Sequence, residues 1–188
     1  MNYNELIKLL LSDKVYQDLK QNESEIFKLI PELEVCKGFD QKNQWHVYDV
    51  YEHILHVVEG VEATLPLRVV ALFHDTGKPL AFTLDDEGVG HFYGHWDRSV
   101  EIFERYLPKL ALSDADAKLI SALIFYHDVN VEKLTAEQVD KMVSEIGRDN
   151  LKYLFAIKRA DLLAQAPKYH YLLENIQRLE ENFTKKEA

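Results

Sequence analysis

The sequence is poor in cysteine, glycine and proline. Its 188 residues include one cysteine, Cys36, together with seven glycines and five prolines. A single cysteine excludes an internal disulfide and a four-cysteine zinc site, and it favours a reducing compartment. Because turn-forming residues are few and the apolar residues stand in runs rather than in short alternating strands, helix should dominate the fold.

Long hydrophobic runs and an excess of positive charge are also missing. Nowhere do about 18 apolar residues stand together, and the N-terminus has no basic segment that leads into an apolar run. We therefore expect a cytoplasmic protein that does not enter a membrane. The net charge of -10 disfavours attraction to nucleic acid backbones. A small substrate suits this charge balance better than a nucleic acid does.

The length and composition indicate one domain with one core. Hydrophobic residues make up 47% of the chain and charged residues 29%, which is ordinary for a globular protein. No internal repeat and no Ser/Gly-rich linker marks a second domain. We predict a single-domain all-α bundle in which N-terminal helices and a loop, residues 1–44, pack on a core formed by residues 45–166. Residues 167–188 should add a C-terminal helix and tail.

Capping signals place several helix ends. Asp49 can cap a helix in which valine and isoleucine recur at helical spacing, and Pro66 suits the first turn of the next helix. Near the N-terminus, Asn22 followed by Glu25 predicts the start of the second of two short helices, which Pro31 should end. These starts and stops fit a bundle of short helices.

Two stretches lack helical patterning. Residues 34–44 are polar and contain Gly38, which predicts a loop. Further along, aspartate and glycine break any helix near residues 82–92, where an apolar segment, residues 82–84, can pair with residues 89–92. We therefore predict a small β-hairpin in this second stretch.

Two histidines and an aspartate point into the predicted core. On a helical wheel, His53 lies at the edge of the apolar stripe of its helix, whereas His56 is rotated outward. His74 aligns with the buried face of the next helix, and Asp75 follows at the C-terminal end of that helix. A carboxylate is costly to bury there, because the partial negative charge of a helix C-terminus opposes it. Either Lys78 or a divalent ion must supply the compensating charge.

A second inward-facing acid occurs far along the chain. Asp161 falls on the apolar stripe of another predicted helix, where a buried ion pair with Lys158 or Arg159 is one explanation. The alternative is a shared metal site, because two imidazoles and two carboxylates form a ligand set that suits Mn, Fe, Co, Ni or Zn. Such a set leaves open positions for water and substrate.

Three segments resemble the H...HD...D signature of the HD-domain metal-dependent phosphohydrolases. They are Asp49–His53, then Ala71–Pro79 with its adjacent histidine and aspartate, and the distant Asp161. Residues 45–50 and 92–95 resemble, more closely, the HD domain attached to some bacterial CCA-adding tRNA nucleotidyltransferases. The similarity covers roughly residues 45–161.

The resemblance implies an all-helical HD domain, residues 45–166, that binds a divalent metal ion, which can be Mn, Fe, Co, Ni, Zn or Mg. The implied ligands of that ion are His53, His74, Asp75 and Asp161. Family members with two ions add histidines from the middle of the chain. The candidates for that role, or for binding phosphate, are His91, His95 and His127. The sequence alone does not rank these three.

The resemblance also implies an enzyme that hydrolyses a small phosphoester, such as a nucleotide monophosphate or a cyclic phosphodiester. In that reaction Asp75 would position the attacking water, and Lys78 would offset charge on the phosphoryl oxygens. The chain lacks the basic surface that tRNA binding requires, so we expect a free-standing hydrolase. The alternatives are a non-catalytic metal-containing sensor or protein-binding module and a structural helical adaptor. The oligomeric state stays open.

Two aromatic features lie near these segments or after them. Trp45 and Trp96 border the motif segments and could stack on a base, but we expect them to pack beside the site instead. The apolar stripe from Tyr169 to Leu179 is expected to pack on the core rather than to bind a ligand. Neither feature is needed for the predicted metal chemistry.

Overall fold

α-Helices form nearly all of the regular structure in residues 1–184, the part of the chain that a computed structural model describes. The predicted tail at residues 185–188 lies outside these described residues. One two-stranded β-hairpin interrupts the helices. The predicted fold class, an all-α bundle with a small hairpin, is confirmed. None of the helices in this part of the chain has both the length and the apolar character needed to cross a bilayer.

The elements follow one another with short connections. The helices before the hairpin are α1 (Tyr3–Leu10), α2 (Val15–Gln21), α3 (Glu23–Leu29), α4 (Pro31–Cys36), α5 (Val50–Gly60), α6 (Leu65–Phe73) and α7 (Lys78–Ala81). The hairpin pairs β1 (Thr83–Leu84) with β2 (Gly90–His91) in antiparallel orientation. The helices after it are α8 (His95–Glu104), α9 (Leu107–Leu110), α10 (Asp114–Tyr126), α11 (Ala136–Ile146), α12 (Leu151–Leu163) and α13 (Leu173–Thr184). Short 3-10 helices occupy Val131–Lys133, Arg148–Asn150 and Pro167–Leu172.

The N-terminal region contains four short helices, α1 to α4, so the prediction of two is wrong. Asn22 occupies the N-cap position of α3, as predicted, but its side chain makes no capping hydrogen bond and instead donates one back to the carbonyl of Asp18 at 2.8 Å. The predicted loop at residues 34–44 starts later than expected, since α4 continues to Cys36. Burial of Leu33 and Cys36 in the core stabilises this last turn of helix.

Helix α6 runs through the core of the bundle, as its nearly continuous apolar sequence predicts. Every residue from Leu67 to Phe73 is buried, including Arg68. Pro66 lies in the first turn, and the helix packs against both α5 and α10. The C-terminal end of α6 therefore brings His74 and Asp75 into the interior of the protein.

Helices α5 and α12 pack against each other, and both contact α6. Asp49 caps α5, as predicted, by accepting a hydrogen bond from the backbone N–H of Glu52 at 2.7 Å. His53 faces the interior from this helix and is fully buried. Asp161 approaches the same region from α12, where 15% of its side chain remains exposed.

The turn after α6 is held tightly against α8. A side-chain carbon at Gly77 would stand 2.3 Å from the carbonyl oxygen of His95 and 2.6 Å from the backbone nitrogen of Ser99. Only glycine permits so close an approach of two backbones. The N–H of Gly77 also donates a hydrogen bond to Oγ of Ser99 at 2.9 Å. This contact sets α8, and with it His95, beside Asp75.

Candidate metal centre

Asp75 lies just beyond the end of α6 with four imidazole rings around it. Its side chain is 1% exposed, and neither carboxylate oxygen has a hydrogen-bond partner of good geometry among the described residues. Oδ2 lies 3.3 Å from Nε2 of both His53 and His74. Oδ1 lies 3.2 Å from Nε2 of His95 and 3.5 Å from Nε2 of His127. The two oxygens of one carboxylate therefore face two pairs of histidines.

The possible ligand atoms fall into two groups that share Asp75. The first group consists of His53, His74, Asp75 and Asp161, and the second consists of Asp75, His95 and His127. Within each group the ligand atoms all lie within 4.8 Å of one another. Asp161 completes the first group by placing Oδ1 2.9 Å from Nε2 of His53. Each group could hold a metal ion.

Backbone carbonyls orient all four rings. Nδ1 donates a hydrogen bond to a carbonyl oxygen in each case, from His53 to Ala164 at 3.4 Å, from His74 to Ala71 at 2.8 Å, from His95 to Phe92 at 2.9 Å and from His127 to Ile124 at 2.6 Å. A carbonyl oxygen only accepts, so the proton of a neutral ring sits on Nδ1 and the lone pair on Nε2. This is how metal-binding histidines are usually held. When the rings are neutral, all four Nε2 atoms thus offer lone pairs beside Asp75.

The same geometry is unfavourable without a cation. Nε2 of His53 lies 3.5 Å from Nε2 of His74, and Nε2 of His95 lies 3.2 Å from Nε2 of His127. Neutral rings in this orientation bring lone pairs against each other and against carboxylate oxygens, in an interior where unpaired polar groups are costly. A divalent cation between them would turn these repulsions into bonds. Imidazole nitrogens and carboxylate oxygens suit such an ion, so the residues fit a metal.

Lys78 provides part of the compensating charge. Its Nζ lies 2.6 Å from Oδ2 of Asp75 and donates a hydrogen bond to Oε1 of Gln41 at 2.8 Å. The sequence left a lysine and a metal ion as alternatives, and the structure shows that Lys78 reaches Oδ2 but not Oδ1 of Asp75. Burial alone would raise the pKa of Asp75, but His74 and Lys78 outweigh it and hold this pKa well below its usual range. Asp75 therefore stays ionised.

Asp161 does not pair with either basic residue of its own helix. Lys158 donates hydrogen bonds instead to the carbonyls that follow α10, and Arg159 pairs with Glu180. The ion-pair explanation of Asp161 is therefore wrong. Its carboxylate faces His53. Burial lowers the pKa of His53, but the carboxylates of Asp161 and Asp75 beside its Nε2 raise this pKa more strongly, to about 8.

His91 and His56, which the sequence analysis considered, lie outside both groups. His91, on the hairpin, contacts Oδ2 of Asp85 through Nε2 at 2.8 Å, so of the three candidates from the middle of the chain it is the one that does not reach Asp75. His56 faces outward, as predicted. Its ring packs between Tyr16 and Tyr48, with centroid distances of 5.1 Å and 4.3 Å.

His46 is a residue of this region that the sequence analysis did not single out. It lines the cavity next to Asp75, and its ring packs edge-on against that of His53 with centroids 5.1 Å apart. Its Nδ1 is buried without a hydrogen-bond partner among the described residues. Burial lowers the pKa of His46 to about 2, so the ring is neutral. Its place in the family-like segment 45–50 was the only signal that could have found it.

An open cavity of about 350 Å³ leads to the two groups. Asp75, Asp161, His95 and His127 line it. Its size lies in the range of small-molecule sites. Among the described residues that line the cavity, Lys78 is the one lysine or arginine. The centre is therefore accessible to a small ligand.

Comparison with known proteins supports the predicted resemblance. The sequence model of the HD domain family matches residues 46–166. The chain is 35% identical over 108 residues to an A-adding tRNA nucleotidyltransferase of Deinococcus radiodurans. The aligned region covers 54% of this chain and 25% of that protein. It is 31% identical over 167 residues to a CC-adding tRNA nucleotidyltransferase of Thermus thermophilus. This aligned region covers 85% of this chain and 35% of that protein. The resemblance to tRNA nucleotidyltransferases with HD domains is confirmed.

A third relative carries a different name. The chain is 30% identical over 146 residues to a bifunctional uridylyltransferase/uridylyl-removing enzyme of Ruegeria pomeroyi, which covers 71% of this chain and 16% of that enzyme. The chain thus spans between 16% and 35% of the length of these three relatives. Because the family match extends over most of the sequence and includes both histidine pairs, the chain belongs to the HD domain family.

Proposed function

We propose that this chain is a metal-dependent phosphohydrolase that acts on a small phosphoester, such as a nucleotide monophosphate or a cyclic phosphodiester. The position of Asp75 supports the proposal best, because two pairs of histidines share its oxygens beside an open cavity. Membership of the HD domain family points the same way. The first ion would be held by His53, His74, Asp75 and Asp161, and a second by Asp75, His95 and His127.

Asp75 and Lys78 would have different roles in hydrolysis. A divalent ion, when bound, activates water as a Lewis acid and neutralises charge on the phosphoryl oxygens. Asp75 stays ionised, so it can hold the ions and orient the attacking water by accepting a hydrogen bond from it. Lys78 carries its positive charge 2.6 Å from Asp75, and it would offset negative charge that develops on the phosphoryl oxygens.

The charge of the cavity favours a substrate with one phosphoryl group. Its described ionic lining, histidines apart, consists of Lys78, Asp75, Asp128 and Asp161. Two divalent ions would add four positive charges to these one positive and three negative groups, which leaves a surplus of two. A phosphomonoester dianion or a cyclic diester monoanion can be neutralised there, whereas a triphosphate would leave negative charge without a partner.

Metal analysis joined to a substrate screen tests the proposal. Protein loaded with Mn²⁺, Co²⁺ or Zn²⁺ should retain the ion and hydrolyse phosphomonoesters or cyclic nucleotides. The screen includes tRNA, because two similar proteins are tRNA nucleotidyltransferases. Asp161→Asn should lose metal and turnover. The matched change Asp128→Asn removes an acid of the same cavity that belongs to neither group, and it should leave the metal content unchanged.

The possible results separate the alternatives. Full metal occupancy without turnover of any substrate would reject the hydrolase and favour a metal-containing sensor or protein-binding module. Failure to hold metal after reloading would reject both and leave a structural helical adaptor. If the protein hydrolyses tRNA and no small phosphoester, the proposal of a small substrate is wrong, while that of a hydrolase stands.

A further inference from the structure

Two exposed aromatic side chains lie on the lining of the cavity that contains Asp75. Trp45, in the loop before α5, is 41% exposed, and Tyr93, in the loop after β2, is 77% exposed. Aromatic side chains in a concave site commonly contact the ligand. Trp96, by contrast, packs edge-on against His95, as expected for a ring beside the site. Trp45 and Tyr93 are therefore the exposed aromatic rings of this lining.

A second ring supports each of these two. Trp45 stacks on Tyr169 with ring centroids 3.7 Å apart and planes inclined by 21°. Tyr93 stacks on His91 with centroids 5.3 Å apart and planes inclined by 8°, and Asp85 holds His91. With one face supported, each ring loses little side-chain freedom when a ligand covers the other face. Both surfaces are thus preorganised.

The described lining of the cavity is rich in aromatic rings and contains one lysine and no arginine. Lys78, the one such residue in the described lining, is 5% exposed and lies against Asp75. A polyphosphate or a bare sugar in this cavity would find no lysine or arginine in the described lining other than Lys78. A flat heteroaromatic ring would find stacking surfaces, and stacking tolerates any base because every base has a π-face.

We propose that Trp45 and Tyr93 form a stacking subsite for the base of a nucleoside monophosphate whose phosphate lies at Asp75. The inference rests on the proposed function and deepens it, because it separates nucleotides from sugar phosphates and other small phosphoesters. Loss of one stacking ring typically weakens binding of a base by about tenfold or more. The effect should be confined to ligands that carry a base.

Two substrates that differ only by the base test the subsite. Adenosine 5′-monophosphate and ribose 5-phosphate carry the same phosphoester on the same sugar. The wild-type protein should prefer the nucleotide in kcat/KM. Tyr93→Leu and Trp45→Leu should each lower kcat/KM for the nucleotide by about tenfold, mainly through KM, and leave ribose 5-phosphate unchanged.

Two further variants control for structure. Tyr93→Phe keeps the ring and should behave as the wild type. Tyr171→Leu removes a tyrosine that is 67% exposed but lies outside the cavity lining, and it should change neither substrate. Thermal melting checks the fold of every variant. If Trp45→Leu does not fold, the Tyr93 variants carry the test, because no packing in the core depends on so exposed a ring.

Failure of the subsite and failure of hydrolysis give different results. Equal loss on both substrates, or no loss on either, would overturn the subsite and leave hydrolysis standing. If no phosphoester is turned over, the proposed function fails. Calorimetric titration of the metal-loaded protein with the same two ligands then shows whether the stacking subsite exists. Nucleotide binding that Tyr93→Leu weakens about tenfold would support it. Equal wild-type affinity for both ligands would overturn it.

Discussion

His95 and His127 face each other beside one oxygen of Asp75, with their Nε2 atoms 3.2 Å apart. They come from different elements, since His95 begins α8 and His127 follows α10. Their arrangement repeats the one that His53 and His74 form at the other oxygen. A single aspartate thus belongs to both proposed ion sites. Measuring how many ions each variant binds can show which site a substitution affects.

Removing one histidine of the second pair should release one ion and spare the other. We expect His127→Ala to lower the metal content by about one ion per chain, because His95 and Asp75 alone hold an ion weakly while the first group keeps all its ligands. Inductively coupled plasma mass spectrometry measures this content. His91→Ala is the control and should keep the metal, since His91 belongs to neither group. Equal losses in both variants would contradict the assignment.

Lys78→Met should bind metal more tightly and turn over substrate more slowly. The ammonium group lies 2.6 Å from Oδ2 of Asp75, where it competes with a cation for the same oxygen. Turnover should nevertheless fall about 10²-fold, because a positive charge near the phosphoryl group is lost. Chelator competition and kcat measure the two effects. Lys42→Met, which removes a half-exposed lysine paired with Asp40, should change neither. Weaker metal binding with unchanged kcat would refute both roles.

Metal affinity should fall as the pH drops below about 8. In the metal-free protein, burial lowers the pKa of His53, but the nearby carboxylates of Asp161 and Asp75 outweigh it and raise this pKa to about 8. Below that pH a proton occupies the Nε2 atom that a cation needs, so apparent affinity should fall about tenfold per pH unit. Chelator competition between about pH 6 and pH 9 measures the slope. An affinity independent of pH would contradict this competition.

The same shift predicts opposite pH slopes for the stability of metal-free and metal-loaded protein. The folded-state pKa of His53, about 8, exceeds its ordinary value of 6.5, so this group stabilises the metal-free fold fully below pH 6.5. That contribution is lost as the pH rises through about 8. The metal-loaded protein should gain stability over the same interval, because metal binding tightens. Urea unfolding at several pH values tests this, and parallel slopes would contradict it.

Gly77→Ala should destabilise the protein by about 3 kcal/mol, as overpacking of a tight contact does. The added carbon would stand 2.3 Å from the carbonyl oxygen of His95, so α8 must shift. Gly88→Ala is the matched control, because Gly88 has a positive φ but open space around it, and it should cost about 1 kcal/mol. Urea unfolding midpoints compare the two. A Gly77 variant no less stable than the Gly88 variant would contradict the close contact.

Local signals failed where a second hydrogen-bond partner competes for the same side chain. Asn22 has the residue type of a helix cap, yet its side chain bonds the preceding helix. Lys158 stands close to Asp161 in sequence, yet its ammonium group turns to the carbonyls after α10. The partner of Asn22 lies only four residues back, so that miss was a choice between two local hydrogen bonds. The partners of Lys158 lie about thirty residues away, and packing between helices decided that they were in reach.

The sequence by itself determined the helical class, the buried character of α6, the hairpin and the inward orientation of His53, His74 and Asp161. These depend on helical period and on turn-forming residues, which are properties of single segments. Only the tertiary structure decided that Asp75 gives one oxygen to each histidine pair and that His95, rather than a neighbouring histidine, reaches it. That choice follows from how α8 packs against the turn after α6 and how α10 and α12 meet α6. Contacts between segments so far apart in the chain leave no periodic pattern in the sequence.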